Sequence, residues 1–227
     1  MPRRLEELGS SRVRNGVADA SPGSEGVADY RRRVTVASTT FVTSSAQENL
    51  AEGGWIARRL LRGARRAGLD KPRTQVFAGG VSFMEDREHR LASDESPNPV
   101  APRHPNDPVW VLDLLHGSVE PVRVVDADSA TGLHLAVRCD FDIANTRCPY
   151  GVRRPMGGGA DNKWSSFDVE VWCDPNHRPM RINNRLGEAL GGGSFWVTTE
   201  LWDFRTDVQV PSGIPASALA SWPRLSV

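Results

Sequence analysis

GLHLAVRCDFDIA, residues 132–144, is the stretch in which apolar and polar residues alternate most regularly. Since successive side chains of a β-strand point to opposite faces of the sheet, this period of two predicts a strand with one apolar and one solvated face. The residues on the apolar face are Leu133, Leu135, Val137, Cys139, Phe141 and Ile143. A sheet with such a face has to bury it against helices or a second layer.

Two later segments, FDVEVWCD (167–174) and SFWVTTELWDF (194–204), continue the strand pattern. The residues DPNH (174–177) favour a turn before RPMRI (178–182). No helical segment alternates with these strands, so the C-terminal half predicts an antiparallel meander rather than a parallel βαβ sheet.

The N-terminal half adds strands and two helices. The β-branched residues of YRRRVTVA (30–37) favour a strand, and TQVFAGGVSFME (74–85) predicts a hairpin around Gly79 and Gly80. A spacing of three and four residues predicts a helix over 54–67, through Ile56, Leu60, Leu61, Ala64 and Ala67. Asp107 and Pro108 favour the start of a short buried helix over 108–116. The predicted fold class is therefore α+β, with roughly seven to nine mostly antiparallel strands covered by two main helices.

The predicted domain organisation is simple, because 227 residues suit one hydrophobic core. Residues 1–25 are polar and rich in Gly and Ser, which predicts a flexible N-terminal arm. Residues 26–219 form the predicted domain, and residues 220–227 a C-terminal tail.

Composition and motifs argue against several function classes. The 28 basic and 28 acidic side chains cancel, which disfavours a general nucleic-acid binder. The sequence contains no G-x-S-x-G, P-loop, G-x-G-x-x-G or H-E-x-x-H motif. Its three cysteines, Cys139, Cys148 and Cys173, lack zinc-site spacing, and their disulfide state stays open. We therefore expect no enzyme activity, no cofactor and no structural metal.

The sequence has neither a stretch of about 20 apolar residues that spans a bilayer nor the apolar core of a signal peptide. As given, the chain is expected in the cytoplasm. If its true N-terminus is missing from this sequence, the expected location is the cell envelope.

Several motifs taken together resemble a known family. They are NDPVWVLDLLHG (106–117), GLHLAVRCDFDIA (132–144), PYGVRRP (149–155), DVEVWCDPNHRPMRI (168–182) and TTELWDFRTDVQV (198–210). In this order they resemble actinobacterial lipoprotein-like proteins related to the mycobacterial LppX and LprG lipid carriers. The matching residues are Val169, Val171, Trp172, Asp174, Arg178, Pro179 and Arg181, followed by Glu200, Leu201, Asp203, Phe204, Val208, Val210 and Pro211. The resemblance covers about residues 26–219, without the family's signal peptide and lipid-attachment cysteine.

The resemblance implies a curved half-barrel sheet, closed by helices over an apolar cavity that holds acyl chains without chemical turnover. The candidate cavity lining is Trp110, Leu114, Leu135, Val137, Cys139, Phe141, Val169, Val171, Val197 and Leu201. The alternative interpretation of the same side chains is a packed core without ligand.

A second function hypothesis comes from the basic face of the predicted helix 54–67. This face carries Arg58, Arg59, Arg62, Arg65 and Arg66. Such a pattern predicts an interaction module for an acidic partner or an anionic membrane surface. The alternative interpretation is a solvated helix face without a partner. The sequence leaves the oligomeric state open.

Overall fold

The structure is a computed structural model, and it describes part of the chain. The described residues are 2–17, 23–40, 47–48, 51–86, 90–93, 107–119, 121–128, 132–149, 152, 166–186 and 195–219. The predicted C-terminal tail, 220–227, lies outside them.

The described residues form an open antiparallel sheet of eleven strands, more than the number expected. The strands are β1 (Ser10–Val17), β2 (Ser24–Asp29), β3 (Val34–Thr39), β4 (Arg73–Ala78), β5 (Val81–Glu85), β6 (Leu91–Ala92), β7 (Arg123–Asp128), β8 (Gly132–Asp140), β9 (Ser166–Cys173), β10 (Pro179–Leu186) and β11 (Phe195–Trp202). Their order is β6-β5-β4-β3-β2-β1-β11-β10-β9-β8-β7. Because β6 and β7 lie at opposite ends and do not meet, the sheet resembles a half-barrel and is not a closed barrel. The predicted α+β class with a mostly antiparallel sheet is confirmed.

Five described helices accompany the sheet, besides helical residues at 47–48 and 51–52. They are α1 (Pro2–Leu8), α2 (Trp55–Ala67), α3 (Val111–Leu114), α4 (Phe141–Arg147) and α5 (Ala216–Leu219), and a 3-10 turn (Leu115–Gly117) extends α3. Helix α2 matches the prediction for 54–67 closely. The predicted helix 108–116 is shorter and starts later, at Val111. In the turn before it, the Asp107 carboxylate accepts the backbone N–H of Val109 at 3.0 Å.

The N-terminal prediction is wrong for the residues of α1 and β1. Instead of forming a polar arm, β1 lies near the centre of the sheet and pairs with β2 and β11. Val13 and Leu5 are buried, although the segment as a whole is polar. Pairing on both edges satisfies the backbone of β1, so the strand needs only one buried face to be stable. The sheet therefore begins before residue 26.

The predicted strand over 132–144 is correct only as far as Asp140. At this point the Asp140 carboxylate accepts the backbone N–H of Ile143 at 2.9 Å and caps helix α4. An aspartate before four residues of adequate helix propensity is a good N-cap, and this local bond ends the alternation. Phe141 and Ile143 consequently lie on a helix and not on the apolar face of the strand.

Two buried apolar clusters lie on opposite faces of the sheet. The larger cluster combines the inner face of β1 and β8–β11 with α3 and α4, and Val13, Val171 and Leu201 belong to it. The smaller cluster contains Val34, Val76 and Phe83 on the other face of β3–β5, covered by the chain that ends in α5. Hence the single covered face that the sequence predicts is replaced by a sheet that is buried on different faces at its two ends.

Candidate functional site

Helix α2 has an exposed surface that combines apolar and basic side chains. Trp55 is 70% exposed, Ile56 58% and Leu60 61%. Leu61, by contrast, is 5% exposed. At about 100° per residue, the exposed arc runs from the arginines through Trp55 to Ile56 and Leu60. The apolar stripe that the sequence predicts is therefore only partly used to attach the helix.

The five predicted arginines all lie on this helix and are all exposed: Arg58, Arg59, Arg62, Arg65 and Arg66. Positions 58, 62 and 66 follow one another at steps of four residues, so their guanidinium groups lie on one side. The helix sequence WIARRLLRGARRA contains no acidic residue. Like charges at this spacing destabilise a helix by a few tenths of a kcal/mol per pair, and an anionic counterpart removes that cost.

The ion pairs that the structure describes leave these arginines without a carboxylate partner. Arg58 donates to the carbonyl of Gly53 at 3.1 Å, and Arg65 donates to the amide oxygen of Gln47 at 3.3 Å. Both acceptors are neutral. Five positive charges therefore face solvent, and none of them has a carboxylate partner among the described ion pairs.

The end of α2 is well formed although its start is not capped by a side chain. Gly68 has a φ of 69°, and the N–H of Leu69 bonds to the carbonyl of Ala64 at 2.9 Å. This is the glycine-terminated helix end in which a left-handed residue satisfies the last carbonyls. Arg65 and Arg66 in the last turn interact favourably with the helix dipole, so the helix tolerates them.

A groove of about 700 Å³ runs along one side of α2. Its lining is Ala51, Trp55, Arg58, Leu61, Arg62 and Arg65. The groove is shallow and open, and it joins one exposed tryptophan to three of the arginines. Basic and apolar groups are thus within reach of a single bound molecule or surface.

The residues of the predicted cavity lining do not lie on α2, and most of them belong to the larger cluster. Eight of the ten residues are buried in the larger cluster: Trp110, Leu114, Val137, Cys139, Phe141, Val169, Val171 and Leu201. Leu135 packs partly against it, and Val197 is half-buried outside it. The pairs Leu135–Val171 and Val137–Val169 lie opposite each other on β8 and β9. The sequence therefore identified a set of side chains that do come together, from one sheet face, α4, α3 and the turn before it.

The other face of β8–β10 carries an arrangement that the sequence did not predict. His134 stacks on Trp172 with ring centroids 4.2 Å apart and an interplanar angle of 14°. The guanidinium of Arg181 lies 5.3 Å from the centroid of the same tryptophan. The cross-strand register places these three residues in one row. The positions that pair with Trp172 across the strands were the signal that could have predicted this arrangement. Because both of its neighbours lie against it, Trp172 stiffens the sheet and leaves little ring surface for a ligand.

The buried nucleophiles are unreactive in character. Burial, with a smaller contribution from Asp168, raises the pKa of the Cys139 thiol to about 12. Burial likewise raises the pKa of Cys173, and it lowers the pKa of His116. Among the described residues, no three His, Cys, Asp or Glu side chains form a group that could hold a metal ion.

No protein-family model matches the chain, and no curated protein matches it significantly. No helix among the described residues has the length and apolar character needed to cross a bilayer.

Proposed function

We propose that this domain binds anionic membrane surfaces peripherally, with α2 lying in the interface between headgroups and acyl chains. The observation that carries the proposal is the joint exposure of Trp55, Ile56 and Leu60 beside five arginines on one helix. A helix that lies in a membrane interface needs an apolar side for the acyl boundary and basic residues for the anionic headgroups. Helix α2 offers both on its free surface.

Lipid fits this surface better than nucleic acid or an acidic protein. Phosphates of a nucleic acid would engage the arginines but leave Ile56 and Leu60 in water. The chain as a whole also lacks the positive charge typical of such binders, with 28 basic and 28 acidic residues. The charge is instead concentrated, since the first 75 residues contain 14 basic and 8 acidic side chains. A flat anionic surface with an apolar layer beneath it matches this local excess.

The energetics suit reversible binding. A basic residue close to an anionic leaflet contributes about 1 kcal/mol, and this attraction decreases within a Debye length. Full burial of one large aliphatic side chain contributes about 1.5–3 kcal/mol. The two contributions together overcome the cost of association, whereas neither alone gives stable attachment.

The direct test is co-sedimentation with vesicles of phosphatidylcholine, with and without phosphatidylserine. We expect binding only to the vesicles that contain phosphatidylserine. The double substitution Arg62→Glu and Arg66→Glu removes about 2 kcal/mol or more, which corresponds to a loss of about 30-fold in affinity. Arg205→Glu, at an exposed arginine outside the helix, is the matched control and should bind like the unchanged protein. Equal binding of all three proteins would refute the proposal.

The apolar contribution is tested separately with Ile56→Ser and Leu60→Ser. Both side chains are exposed, so their replacement should leave the free energy of unfolding nearly unchanged. Affinity for phosphatidylserine vesicles should decrease about tenfold or more. If the real partner were an acidic protein or a nucleic acid, the apolar side chains would not contribute to vesicle binding. The serine variants would then bind vesicles as the unchanged protein does.

A second candidate is the carrier function that the resemblance to the LppX and LprG family implies. It is supported by the convergence of the predicted lining residues in one cluster. Their side chains contact one another, so an acyl chain enters only if they separate. Mass spectrometry of the purified protein tests for co-extracted lipid, and Val137→Trp should abolish uptake of a fluorescent fatty acid. Absence of lipid together with absence of uptake would leave this cluster as an ordinary core.

A further inference from the structure

Strand β7 forms one end of the sheet and is exposed along its length. Residues 121–127 are all exposed. Val119 is 41% exposed, Val122 49%, Val124 56% and Val125 47%. Among the described residues, the exposed large apolar side chains are these four valines and three residues of α2, Trp55, Ile56 and Leu60. The four valines lie close together in sequence, between residues 119 and 125.

The outer edge of β7 leaves backbone groups open. In the part of the chain that the structure describes, β7 pairs with β8 alone. An end strand presents a row of N–H and C=O groups to which another strand can pair, and natural proteins protect such edges with lysines, prolines, bulges or a covering segment. The strand RVVDAD has neither lysine nor proline within it, but its register with β8 shifts between Val124 and Asp126. A strand that pairs with this edge therefore has to match the same irregularity.

The pairing with β8 shows which side chains of β7 share a face. Arg123 is opposite Ala136 and Asp126 is opposite His134, whereas Val124 is opposite Leu135. The register shifts between Val124 and Asp126, so Val125 is the extra residue of a bulge. Because Ala136 and His134 lie on the same face of β8, Arg123 and Asp126 lie on one face of β7 and Val124 on the other.

We propose that β7 pairs with β7 of a second copy of this chain, antiparallel about a two-fold axis at Val124. In this register the two Val124 side chains meet on one face. With Val125 left unpaired as the bulge residue of both copies, Arg123 of each copy lies opposite Asp126 of the second copy on the other face, which gives two opposite-charge pairs. Antiparallel self-pairing is the arrangement in which one strand is complementary to itself.

The charges support this occupant over an unrelated strand. The Asp126 carboxylate accepts the N–H of Ala127 at 2.8 Å, which holds it beside the strand. Cross-strand pairs of opposite charge stabilise a sheet, and like charges directly opposite destabilise it. A single strand per copy is a small interface, so dimerisation depends on protein concentration.

Cross-linking tests the register. Directly opposite residues on antiparallel strands have Cα atoms about 4.5–5.5 Å apart, which lies within the range that a disulfide spans. The three native cysteines are buried, so an introduced surface cysteine reacts alone. Val124→Cys should form a covalent dimer under mild oxidation. Val122→Cys is the matched control, because its two copies are separated by about 13 Å in this register. Equal cross-linking of both variants, or of neither, would overturn the proposal.

Charge reversal provides a second test that does not depend on oxidation. In sedimentation velocity, Arg123→Asp and Asp126→Arg should each shift the protein toward monomer, and the double variant should restore the dimer. A chain that is monomeric at every concentration would contradict the proposal. Arg62→Glu with Arg66→Glu should leave the dimer unchanged, so failure of membrane binding and failure of self-association remain distinguishable.

Discussion

Arg33 and Asp113 form a buried ion pair that joins the turn between β2 and β3 to helix α3. The guanidinium Nη1 lies 3.2 Å from Oδ2 and 3.3 Å from Oδ1 of Asp113. The side chains are only 6% and 4% exposed. Arg33 also approaches Glu6 of α1 at 3.5 Å, so one arginine links three segments that are distant in sequence. Its φ of 54° shows that the turn accepts an unfavourable conformation in order to place it.

Removal of Asp113 should be strongly destabilising. Asp113→Ala leaves a buried guanidinium without its main carboxylate, which typically costs about 3–5 kcal/mol. Asp168→Ala is the comparison, since Asp168 pairs with Arg138 at 3.0 Å on the exposed face and its loss should cost about 1 kcal/mol or less. Urea denaturation measures both values. Similar costs for the two variants would contradict the structural role assigned to the buried pair.

Two glycine substitutions should have opposite effects. A Cβ added to Gly26 would lie 2.0 Å from the carbonyl oxygen of Val36 on β3, so Gly26→Ala should lower the free energy of unfolding by at least about 1–3 kcal/mol. Gly63 lies inside α2 with open space at its Cβ position. Gly63→Ala should therefore stabilise the helix by up to about 1 kcal/mol. Thermal unfolding followed by circular dichroism gives both signs, and a stabilising Gly26→Ala would show that β2 and β3 are not this close.

The turn between β9 and β10 should contribute stability that depends on pH. Burial alone would raise the pKa of Asp174, but side-chain and backbone hydrogen bonds from Arg178 outweigh it and hold the pKa below its usual value. A carboxylate with a lowered pKa stabilises the fold above its unfolded pKa of about 3.9, and this contribution is lost as the pH falls through the folded pKa. Asp174→Asn should thus be less stable than the unchanged protein at pH 7, with the difference disappearing in acid. A difference that persists unchanged at low pH would argue against the charged interaction.

The native cysteines should be inert toward thiol reagents. Burial raises the pKa of Cys139 to about 12, so its thiolate is scarce at pH 8, and the other two cysteines are also buried. We expect no reaction with Ellman's reagent until denaturant is added, and then reaction of all three thiols. A rapidly reacting thiol in the folded protein would show that the larger cluster opens.

Local patterns predicted the strands and helices that carry a clear signal. The alternation through Leu135 and Val137 and the spacing of α2 correspond to real elements, because each depends on which face of a short segment is buried. Strand β1 escaped prediction since its stability comes from pairing with β11, almost the whole chain away in sequence. Short polar segments of this kind have no periodic signal of their own.

The sequence predicted only part of the candidate site, because here too only local patterns carry a signal. Composition identified the five arginines of α2, because charge on a helix face is visible in sequence. The exposure of Ile56 and Leu60 could not be predicted from the sequence, because the same spacing is expected of residues that attach a helix to the core. Only the structure, in which Leu61 is buried while Ile56 and Leu60 are exposed, distinguishes the two cases.

Membrane binding by α2 is tested most directly by the depth of this helix at a membrane. An environment-sensitive fluorophore attached at Leu60→Cys reports the polarity at the apolar edge of the helix, and the same label at Asn176→Cys, in the exposed turn between β9 and β10, serves as control. We predict a blue shift of the Leu60 label with vesicles that contain phosphatidylserine, no shift with phosphatidylcholine alone, and no shift of the Asn176 label with either. An unchanged Leu60 spectrum at saturating phosphatidylserine would contradict membrane binding by this helix.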